Sequence, residues 1–397
     1  MNLPSPAELA PVLALAGADA WLLFDFHGVN PVAARMLDIH GLATRRVFVL
    51  LPRAGEPVAI AHRIELGSVK DFPGRVIQYS RWQELHAALE ELVRGRTLAM
   101  EISPDDAVPY LDRVPWGVVQ LITRLGGRVV PSGPLVSAFA ARWTDEETSD
   151  HRAAAEILAE VAQAELARAV TEGGTGLTET ALQQRVVRAL EARGLAVQGP
   201  PIVAFGANAA NGHYEPRPGQ DATLAPDEVV LLDLWAGRRL DTVFADQTWM
   251  GFSGAQPPEK VERVWRVVRD ARDAAAAAIR DAAAAGRPVA GYEGDRAARG
   301  VIDAAGFGAN FVHRTGHSID RELHGSGPHL DDYETHDDRV LTPGVGFSIE
   351  PGVYLPGEFG VRSEVNMYWG ARGPEVTPIR PQTSLITAPL SKIQIHR

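Results

Sequence analysis

Apolar and polar positions in the first third of the chain follow a pattern that predicts strands alternating with helices. Short apolar runs predict buried strands at Ala20–Phe26, Arg46–Leu51, Pro57–Ala61 and Thr97–Glu101. Apolar residues at helical spacing predict helices at Ala7–Ala16, Trp82–Arg94 and Val118–Leu125. Such an alternation is typical of an α/β domain built on a mixed or parallel sheet.

The pattern changes near residue 140, where longer helices begin. Thr144 and Glu147 have the spacing of a capping box, which predicts the start of a helix that runs to about Val170. Further helices are predicted at Thr178–Arg193, Glu259–Ala285 and Asp295–Ala305. Between and after them, β-type apolar runs occur at Val229–Trp235, Thr242–Met250, Gly346–Tyr354 and Val361–Trp369. We therefore expect a domain boundary near residue 140 and an α+β domain over residues 141–397.

Composition narrows the chemistry that this fold can carry. The 397 residues include 39 Lys and Arg against 50 Asp and Glu, a net charge of −11, which argues against a nucleic-acid partner. The absence of cysteine excludes disulfides, thiolate metal sites and a catalytic thiol, so that any metal ligands must be His, Asp or Glu. The chain shows neither an apolar run of the ~18 residues that a membrane span requires nor a targeting segment. We expect no membrane association and a cytoplasmic location.

Histidines are concentrated in one stretch of the second domain. Five of the 12 histidines fall between His313 and His336, where an even distribution would place fewer than one. Gathered imidazoles are costly unless they bind a metal ion or move protons. The cluster therefore predicts a functional site, although any one of these histidines taken alone would be read as an ordinary loop residue.

Four carboxylates stand in or beside apolar strands, where an unpaired acid is expensive to bury. If the runs that hold Asp233 and Asp246 form a hairpin, the two acids face each other. Glu350 follows a third apolar run, and the alternation around Glu364 places that residue on one face with Arg362 and Asn366. Each acid alone is compatible with a turn or a simple ion pair. Several carboxylates with one imidazole suit a pair of Mn²⁺, Zn²⁺ or Co²⁺ ions.

At this point the sequence resembles a known family, the pita-bread metallopeptidases, which include prolidase, aminopeptidase P, methionine aminopeptidase and creatinase. The motifs that carry the resemblance are Leu231-Leu-Asp-Leu-Trp235, Asp246-Gln-Thr248, Gly316-His317, Glu350-Pro-Gly-Val-Tyr354 and Gly360-Val-Arg-Ser-Glu364. They occur in the family's order over residues 145–390. The resemblance implies a creatinase-like N-terminal α/β domain over residues 1–140 and a pita-bread catalytic α+β domain over residues 141–397.

The resemblance also implies roles for individual residues. The metal ligands would be Asp233, Asp246, His317, Glu350 and Glu364, holding two divalent ions, with Mn²⁺ favoured and Zn²⁺ or Co²⁺ as alternatives. Asp246 and Glu364 would bridge the two ions. The catalytic residues would be Glu350 as general base and acid, with His313 and His324 at the substrate carbonyl. The expected substrate-binding residues are His213, Arg362 and Arg372, and Arg217 is a further candidate for the substrate carboxylate.

This sequence departs from the family's pattern at three places, none of which removes a ligand. The two aspartates lie 13 residues apart, two more than the commoner spacing, which predicts a longer turn between their strands. Trp249 stands where an arginine is usual, and Gly325 stands where a glutamate is frequent. We expect the last two changes to reshape the substrate pocket.

The function implied by the resemblance is hydrolysis of the peptide bond preceding proline in Xaa-Pro dipeptides, by a hydroxide that bridges two metal ions. The short gap from Glu350 to Glu364 favours this dipeptidase over an aminopeptidase P that acts on longer peptides. A metal-free creatinase-type amidinohydrolase and a non-catalytic binding protein are less favoured, because all five ligand positions are filled. The N-terminal domain argues against a methionine aminopeptidase. The family also implies a homodimer.

Overall fold

The computed structural model describes residues 1, 3–38 and 44–389. These residues form two compact units, of which the first ends at Arg142 and the second begins at Trp143. The sequence-based boundary near residue 140 lies two residues from this division. Within the described part of the chain, no helix has both the length and the apolar character needed to cross a lipid bilayer.

The first unit is built on one mixed sheet of six strands. Its strands are β1 (Ala20–Asp25), β2 (Val47–Pro52), β3 (Val58–His62), β4 (Arg75–Tyr79), β5 (Thr97–Met100) and β6 (Arg128–Pro131). Its helices are α1 (Pro6–Leu15), α2 (Pro31–Leu37), α3 (Trp82–Val93), α4 (Trp116–Arg124) and the short α5 (Gly133–Leu135). The strand order is β4-β3-β2-β1-β5-β6. Strand β2 runs antiparallel to its neighbours β1 and β3, and the other pairs are parallel, which confirms the expected mixed α/β sheet.

Strand β1 shows why the strands of this sheet can be predicted from the sequence. Trp21 and Leu23 enter the apolar cluster on one face of the sheet, and Leu22 and Phe24 enter the cluster on the other. A strand buried on both faces is apolar at every position, so it appears as one continuous run. The apolar pattern gives no sign of the partly exposed strands β4 and β6, because fewer of their side chains are buried.

The second unit combines four long helices with three sheets. The helices are α6 (Asp145–Ala169), α7 (Glu179–Ala192), α8 (Glu259–Ala284) and α9 (Gly291–Ala304). The strands are β7 (Ile202–Phe205), β8 (Val229–Ala236), β9 (Ala245–Phe252), β10 (Ser318–Ile319), β11 (Gly346–Ile349), β12 (Gly352–Leu355), β13 (Phe359–Arg362), β14 (Val365–Gly370), β15 (Gly373–Thr377) and β16 (Ile386–Thr387). They form two four-stranded sheets, β16-β9-β8-β7 and β10-β11-β14-β15, and the hairpin β12-β13.

The predicted capping box opens helix α6. The Thr144 hydroxyl accepts a hydrogen bond from the Glu147 amide, and the Glu147 carboxylate accepts one from the Thr144 amide. The helix then packs against β8 and β9 through apolar side chains, among them Ala162 of the helix and Leu232 and Trp249 of the strands. This packing holds in place β8 and β9, the two strands that carry Asp233 and Asp246.

Two runs that the sequence predicts as single strands are each divided in the structure. The run Gly346–Tyr354 is interrupted between β11 and β12, and the run Val361–Trp369 is interrupted between β13 and β14. Pro351 contributes to the first interruption, because proline has no amide hydrogen to donate to a ladder. Glu350 and Glu364 lie in these interruptions.

Candidate active site

The two aspartates lie on the hairpin of β8 and β9. Asp233 is paired with Thr248, and Asp246 is paired with Trp235, so the acids share one face but are offset by two positions. The predicted hairpin is present, and the two acids are diagonal rather than directly opposed neighbours. Diagonal neighbours of this kind have Cα atoms about 7–8 Å apart, which leaves room between the carboxylates for an ion.

The two glutamates lie at opposing positions where both of their strands are interrupted. Ile349 pairs with Val365 on one side of the interruption, and Gly352 pairs with Arg362 on the other. The register is the same on both sides, so Glu350 falls opposite Glu364. The interruptions thus turn both carboxylates away from the regular ladder at one point of the fold.

His317 completes the group of candidate ligands. Its Nδ1 donates to the Ser318 carbonyl oxygen at 3.1 Å, and its backbone amide donates to the Ser348 hydroxyl at 2.9 Å. Its Nε2 lies 3.2 Å from Glu350 Oε1 and 3.5 Å from Asp246 Oδ2. An imidazole held through Nδ1 presents Nε2 as the ligand atom, which is the usual arrangement at metal sites.

The donor set fits a metal site. Three buried residues, Asp246, His317 and Glu364, each provide one ligand atom, and these three atoms lie within 4.8 Å of one another. Asp233 Oδ1, Asp246 Oδ1 and Glu364 Oε1 are buried and have no hydrogen-bond partner among the described residues. Buried carboxylate oxygens without donors are costly, and a divalent cation would remove that cost.

Proton affinities in the cluster reflect the crowding of negative charge. Burial raises the pKa of Asp233 to about 7, and Asp246 and Glu350 add to this effect against the opposing influence of Arg362. Burial and the neighbouring carboxylates raise the pKa of Glu364 well above its ordinary value. Burial also tends to raise the pKa of Glu350. The neighbouring His317, Arg362 and Ser348 hydroxyl outweigh this effect, so the pKa of Glu350 is lowered.

Arg362 is buried and supports the ligands. Its Nη2 donates to Asp233 Oδ2 at 2.5 Å, its Nε donates to Thr248 Oγ1 at 2.9 Å, and its Nη1 donates to the Gly212 carbonyl oxygen at 3.0 Å. Thr248 in turn donates to Glu364 Oε2 at 2.9 Å. The guanidinium predicted to bind substrate therefore has most of its hydrogen bonds committed to the protein.

Two of the five candidate ligands, His317 and Glu350, line a cavity of about 450 Å³. The lining residues are Ala210, Asn211, Gly212, His213, Val312, His313, Arg314, His317, His324, Glu334, Glu350, Tyr354 and Arg362. Arg372, predicted to bind substrate, does not line this cavity and is exposed in the turn between β14 and β15. The physical reason is the direction of β14, which starts beside Glu364 and carries the chain away over six residues, roughly 20 Å of extended strand.

The two flanking histidines have different settings. His313 donates from Nδ1 to the Arg314 carbonyl oxygen at 2.7 Å, and its Nε2 lies 2.8 Å from the Tyr354 hydroxyl. His324 is exposed and packs edge-on against His317, with ring centroids 4.1 Å apart. Desolvation of the ring by the surrounding protein and the nearby His317 lower the pKa of His324 to about 3, so this imidazole is neutral near pH 7.

Two residues of the site, Tyr354 and Asn366, have no predicted role, although a motif or the strand alternation includes each of them. Tyr354 ends the Glu-Pro-Gly-x-Tyr motif and contacts both His313 and Arg362. Asn366 lies two positions beyond Glu364 on the same face, and its side-chain oxygen accepts from the Asp246 amide at 2.9 Å. Their place in the motifs and in the strand alternation is the signal that identifies them.

Comparisons with known proteins agree with this arrangement. Residues 149–369 match the profile of metallopeptidase family M24. The chain is 28% identical over 325 residues to a probable dipeptidase PepE of Mycobacterium bovis, covering 81% of this chain and 80% of that protein. It is 35% identical over 191 residues to an Xaa-Pro dipeptidase of Lactobacillus delbrueckii subsp. lactis, covering 48% of each. The crystal structure of dipeptidase PepE from Mycobacterium ulcerans has a TM-score of 0.73 at 23% identity, with 97% of both chains covered, which shows a shared fold.

Proposed function

Because the chain belongs to metallopeptidase family M24, we propose that it hydrolyses the peptide bond preceding proline in Xaa-Pro dipeptides. Membership makes the protein a hydrolase with the pita-bread fold. The observation that carries the proposal is the buried convergence of Asp246, His317 and Glu364 beside a cavity large enough for a small peptide. The Xaa-Pro specificity rests on the relatives that bear this activity in their names.

We propose Asp233, Asp246, His317, Glu350 and Glu364 as the ligands of two divalent cations. Carboxylates with one imidazole suit Mn²⁺, with Zn²⁺ and Co²⁺ as alternatives. When bound, such ions lower the pKa of an attacking water and polarise the scissile carbonyl.

Glu350 is proposed to move the proton during hydrolysis. Its lowered pKa keeps the carboxylate ionised at neutral pH, so it can accept a proton from the attacking water. The Ser348 hydroxyl donates to Glu350 Oε1 at 2.9 Å and fixes the carboxylate at the edge of the cavity. The same carboxyl group then returns the proton to the leaving proline nitrogen.

His324 is proposed to stabilise charge on the substrate carbonyl oxygen. The ring lines the cavity and is neutral near pH 7, so one ring nitrogen carries a hydrogen that it can donate. His313 is held by the Arg314 carbonyl and the Tyr354 hydroxyl, so its contribution is proposed to be the placement of Tyr354 and of the cavity wall.

A dipeptide presents a free carboxylate close to the scissile bond and requires a donor or cation nearby. Arg362 is committed to Asp233, Thr248 and Gly212, and the neutral His324 supplies no positive charge. We propose that this carboxylate lies against His213 and Arg314, which also line the cavity.

An aminopeptidase that acts on longer peptides is the second candidate. A neighbouring cavity of about 390 Å³ shares Asn211 and His213 with the first and is bordered by Arg217. A peptide that continues beyond proline would extend into this space. The observation supports longer substrates without favouring them over dipeptides. The homodimer implied by the family resemblance stays a prediction.

The test compares substrates of different length at saturating Mn²⁺. We expect Leu-Pro to be cleaved with a kcat/KM about tenfold or more above that of Leu-Pro-Ala, since only the dipeptide places its carboxylate against His213 and Arg314. Leu-Ala serves as the control without proline and should be a poor substrate. A chelator should abolish release of leucine, and metal analysis should return about two ions per chain.

Any other outcome contradicts a specific part of the proposed function. Preference for Leu-Pro-Ala would replace the dipeptidase by the aminopeptidase. Equal cleavage of Leu-Ala would reject the requirement for proline. Full activity in the presence of chelator, or fewer than one ion per loaded chain, would reject the metal-dependent proposal.

A further inference from the structure

A single buried carboxylate closes the loop that carries His213. We propose that Glu179, at the first turn of α7, is a positioning residue that fixes this loop for substrate binding. The loop runs from residue 206 to residue 221 and contributes four consecutive residues, 210–213, to the wall of the cavity. The inference rests on the proposed function, because it assigns the loop a role in holding the substrate.

Glu179 holds both ends of the loop at once. Its Oε1 accepts a hydrogen bond from the Phe205 amide at 2.7 Å, where the loop begins. Its Oε2 accepts one from the Ala222 amide at 2.8 Å, where the loop ends. The Glu179 amide also donates to the Ala222 carbonyl oxygen at 3.1 Å. The ends of the loop are therefore joined through one side chain.

The same carboxylate also holds the interior of the loop. The Asn208 side-chain amide donates to Oε1 at 3.0 Å, and the Tyr214 hydroxyl donates to Oε2 at 2.7 Å. Asn208 and Tyr214 lie on either side of the four residues that line the cavity, and their side chains are 3.0 Å apart. Glu179 thus fixes the loop at Asn208, two residues before the lining segment, and at Tyr214, directly after His213.

The buried Glu179 carboxylate has hydrogen-bond donors for both of its oxygens. Two backbone amides, one side-chain amide and one hydroxyl satisfy its two oxygens. Its place at the N-terminus of α7 adds the favourable field of the helix dipole. A glutamine at this position would present an N–H group to donors and would break at least one of these bonds.

The far side of the loop meets the candidate metal ligands. The Gly212 carbonyl oxygen accepts from Arg362 Nη1 at 3.0 Å, and Arg362 holds Asp233. Arg362 therefore braces the loop near the ligands, and Glu179 braces it on the side away from them. Loss of the hydrogen bonds that Glu179 accepts should let His213 move while the five proposed ligands stay in place.

The experiment compares Glu179→Gln with wild type and with a matched control, Glu101→Gln. Glu101 is a buried carboxylate of the first unit that likewise accepts only from uncharged groups, on Trp21, Asn30 and Ser132. We expect Glu179→Gln to raise KM for Leu-Pro about tenfold, with kcat and the Mn²⁺ content little changed. Glu101→Gln should leave KM unchanged, and Tyr214→Phe, which removes one donor, should raise it less.

Two further measurements distinguish positioning from a general loss of structure. In the double variant Glu179→Gln with His213→Ala, KM should be no higher than in His213→Ala alone, because Glu179 acts through His213. Hydrogen exchange should be faster at the Phe205 and Ala222 amides of Glu179→Gln, and unchanged in α8.

The outcomes separate this inference from the proposed function. Wild-type turnover of Leu-Pro, measured in parallel, tests the function by itself. An unaltered KM in folded Glu179→Gln, or additive KM effects in the double variant, would overturn the role of Glu179. Unaltered exchange at Phe205 and Ala222 would overturn it even if Leu-Pro proved not to be the substrate. If Glu179→Gln does not fold, an unaltered KM and exchange rate in Tyr214→Phe would reject the inference.

Discussion

Glu350 differs from the neighbouring acids in the protonation state that its surroundings favour. Burial and mutual repulsion raise the pKa values of Asp233 and Glu364, whereas His317, Arg362 and the Ser348 hydroxyl lower the pKa of Glu350 against the effect of burial. Within one cluster the fold therefore combines carboxylates whose negative charge is unfavourable without a cation and one carboxylate that stays ionised in the metal-free protein. Such divergence between neighbouring carboxylates is typical of sites that perform acid–base chemistry.

This difference predicts the effect of Glu350→Gln. The amide retains the size of the side chain and one oxygen but cannot accept the proton of the attacking water. We expect kcat for Leu-Pro to fall by about 10²–10⁴, as for the loss of a general base, while the circular dichroism spectrum is unchanged. The control is Glu358→Gln, which changes an exposed acid in the turn of the β12-β13 hairpin. Glu358 pairs with Lys260, and this variant should retain full activity. Turnover within threefold of wild type in Glu350→Gln would exclude Glu350 from the proton transfer.

At the scale of elements, the catalytic geometry comes from strands that stop and start again. Strands β11 and β12 are interrupted at Glu350, and strands β13 and β14 at Glu364, with the register maintained across both interruptions. A continuous ladder would hold neighbouring side chains on alternating faces. The paired interruptions release two opposed glutamates toward β8 and β9, where the aspartates lie.

Close backbone approach at the neighbouring Gly316 makes this arrangement sensitive to a single methyl group. A Cβ atom at Gly316 would lie 2.0 Å from the Ser348 carbonyl oxygen, so the segment that carries His317 would have to move away from β11. We expect Gly316→Ala to weaken Mn²⁺ binding at least tenfold and to destabilise the protein by about 1–3 kcal/mol, measured by calorimetric titration and urea unfolding.

The matched control for this prediction is Gly300→Ala. Gly300 lies within α9, and an added Cβ atom there would meet nothing within 4 Å. Because alanine is the better helix former, this variant should bind Mn²⁺ normally and gain up to about 1 kcal/mol of stability. Equal Mn²⁺ affinity in the two variants would show that the close approach at Gly316 does not position His317.

The elements also show how far the sequence alone predicts this protein. The run at Ala20–Phe26 predicts β1 to within one residue, since burial on both faces leaves a continuous apolar signal. The interruption at Glu364 gives no such signal, because the alternation around Glu364 reads as one strand and the interruption depends on pairing with a distant strand. The same limit applies to substrate residues: proximity in sequence favours Arg372, yet the direction of β14 carries it away from the cavity.

At the scale of the whole molecule, the acidic cluster couples metal binding to the stability of the second unit. Asp233 has a pKa of about 7 in the metal-free fold, against about 3.8 in an unfolded chain, so the folded state binds more protons between these values. Stability therefore falls as pH rises toward and through 7. The raised pKa values of Asp246, Glu364 and His317 act in the same direction.

This coupling predicts opposite effects of pH on the metal-free and metal-loaded protein. Between pH 6.5 and 8.5, we expect the unfolding midpoint of the chelator-treated protein to fall relative to that of chelator-treated Asp233→Asn, since the carboxylates lose protons and repel one another. Near pH 6.5 the histidines with lowered pKa values act in the opposite direction, because they are about half protonated in the unfolded chain and neutral in the fold. This contribution is the same in both proteins and cancels in the comparison. Saturating Mn²⁺ should raise the midpoint more at pH 8.5 than at pH 6.5, because the ion binds the deprotonated ligands.

Calorimetry of two variants tests whether the acidic cluster is the source of this behaviour. A chain with two units can unfold in more than one step, and the step that responds to Mn²⁺ identifies the second unit. Asp233→Asn should flatten the pH dependence of that step in the metal-free protein. Asp270→Asn, an exposed acid of α8 paired with Arg269, should leave it as steep as in wild type. The same slope in Asp233→Asn and wild type would remove Asp233 as the cause, and equal Mn²⁺ stabilisation at both pH values would show that the ion does not compete with protons for these carboxylates.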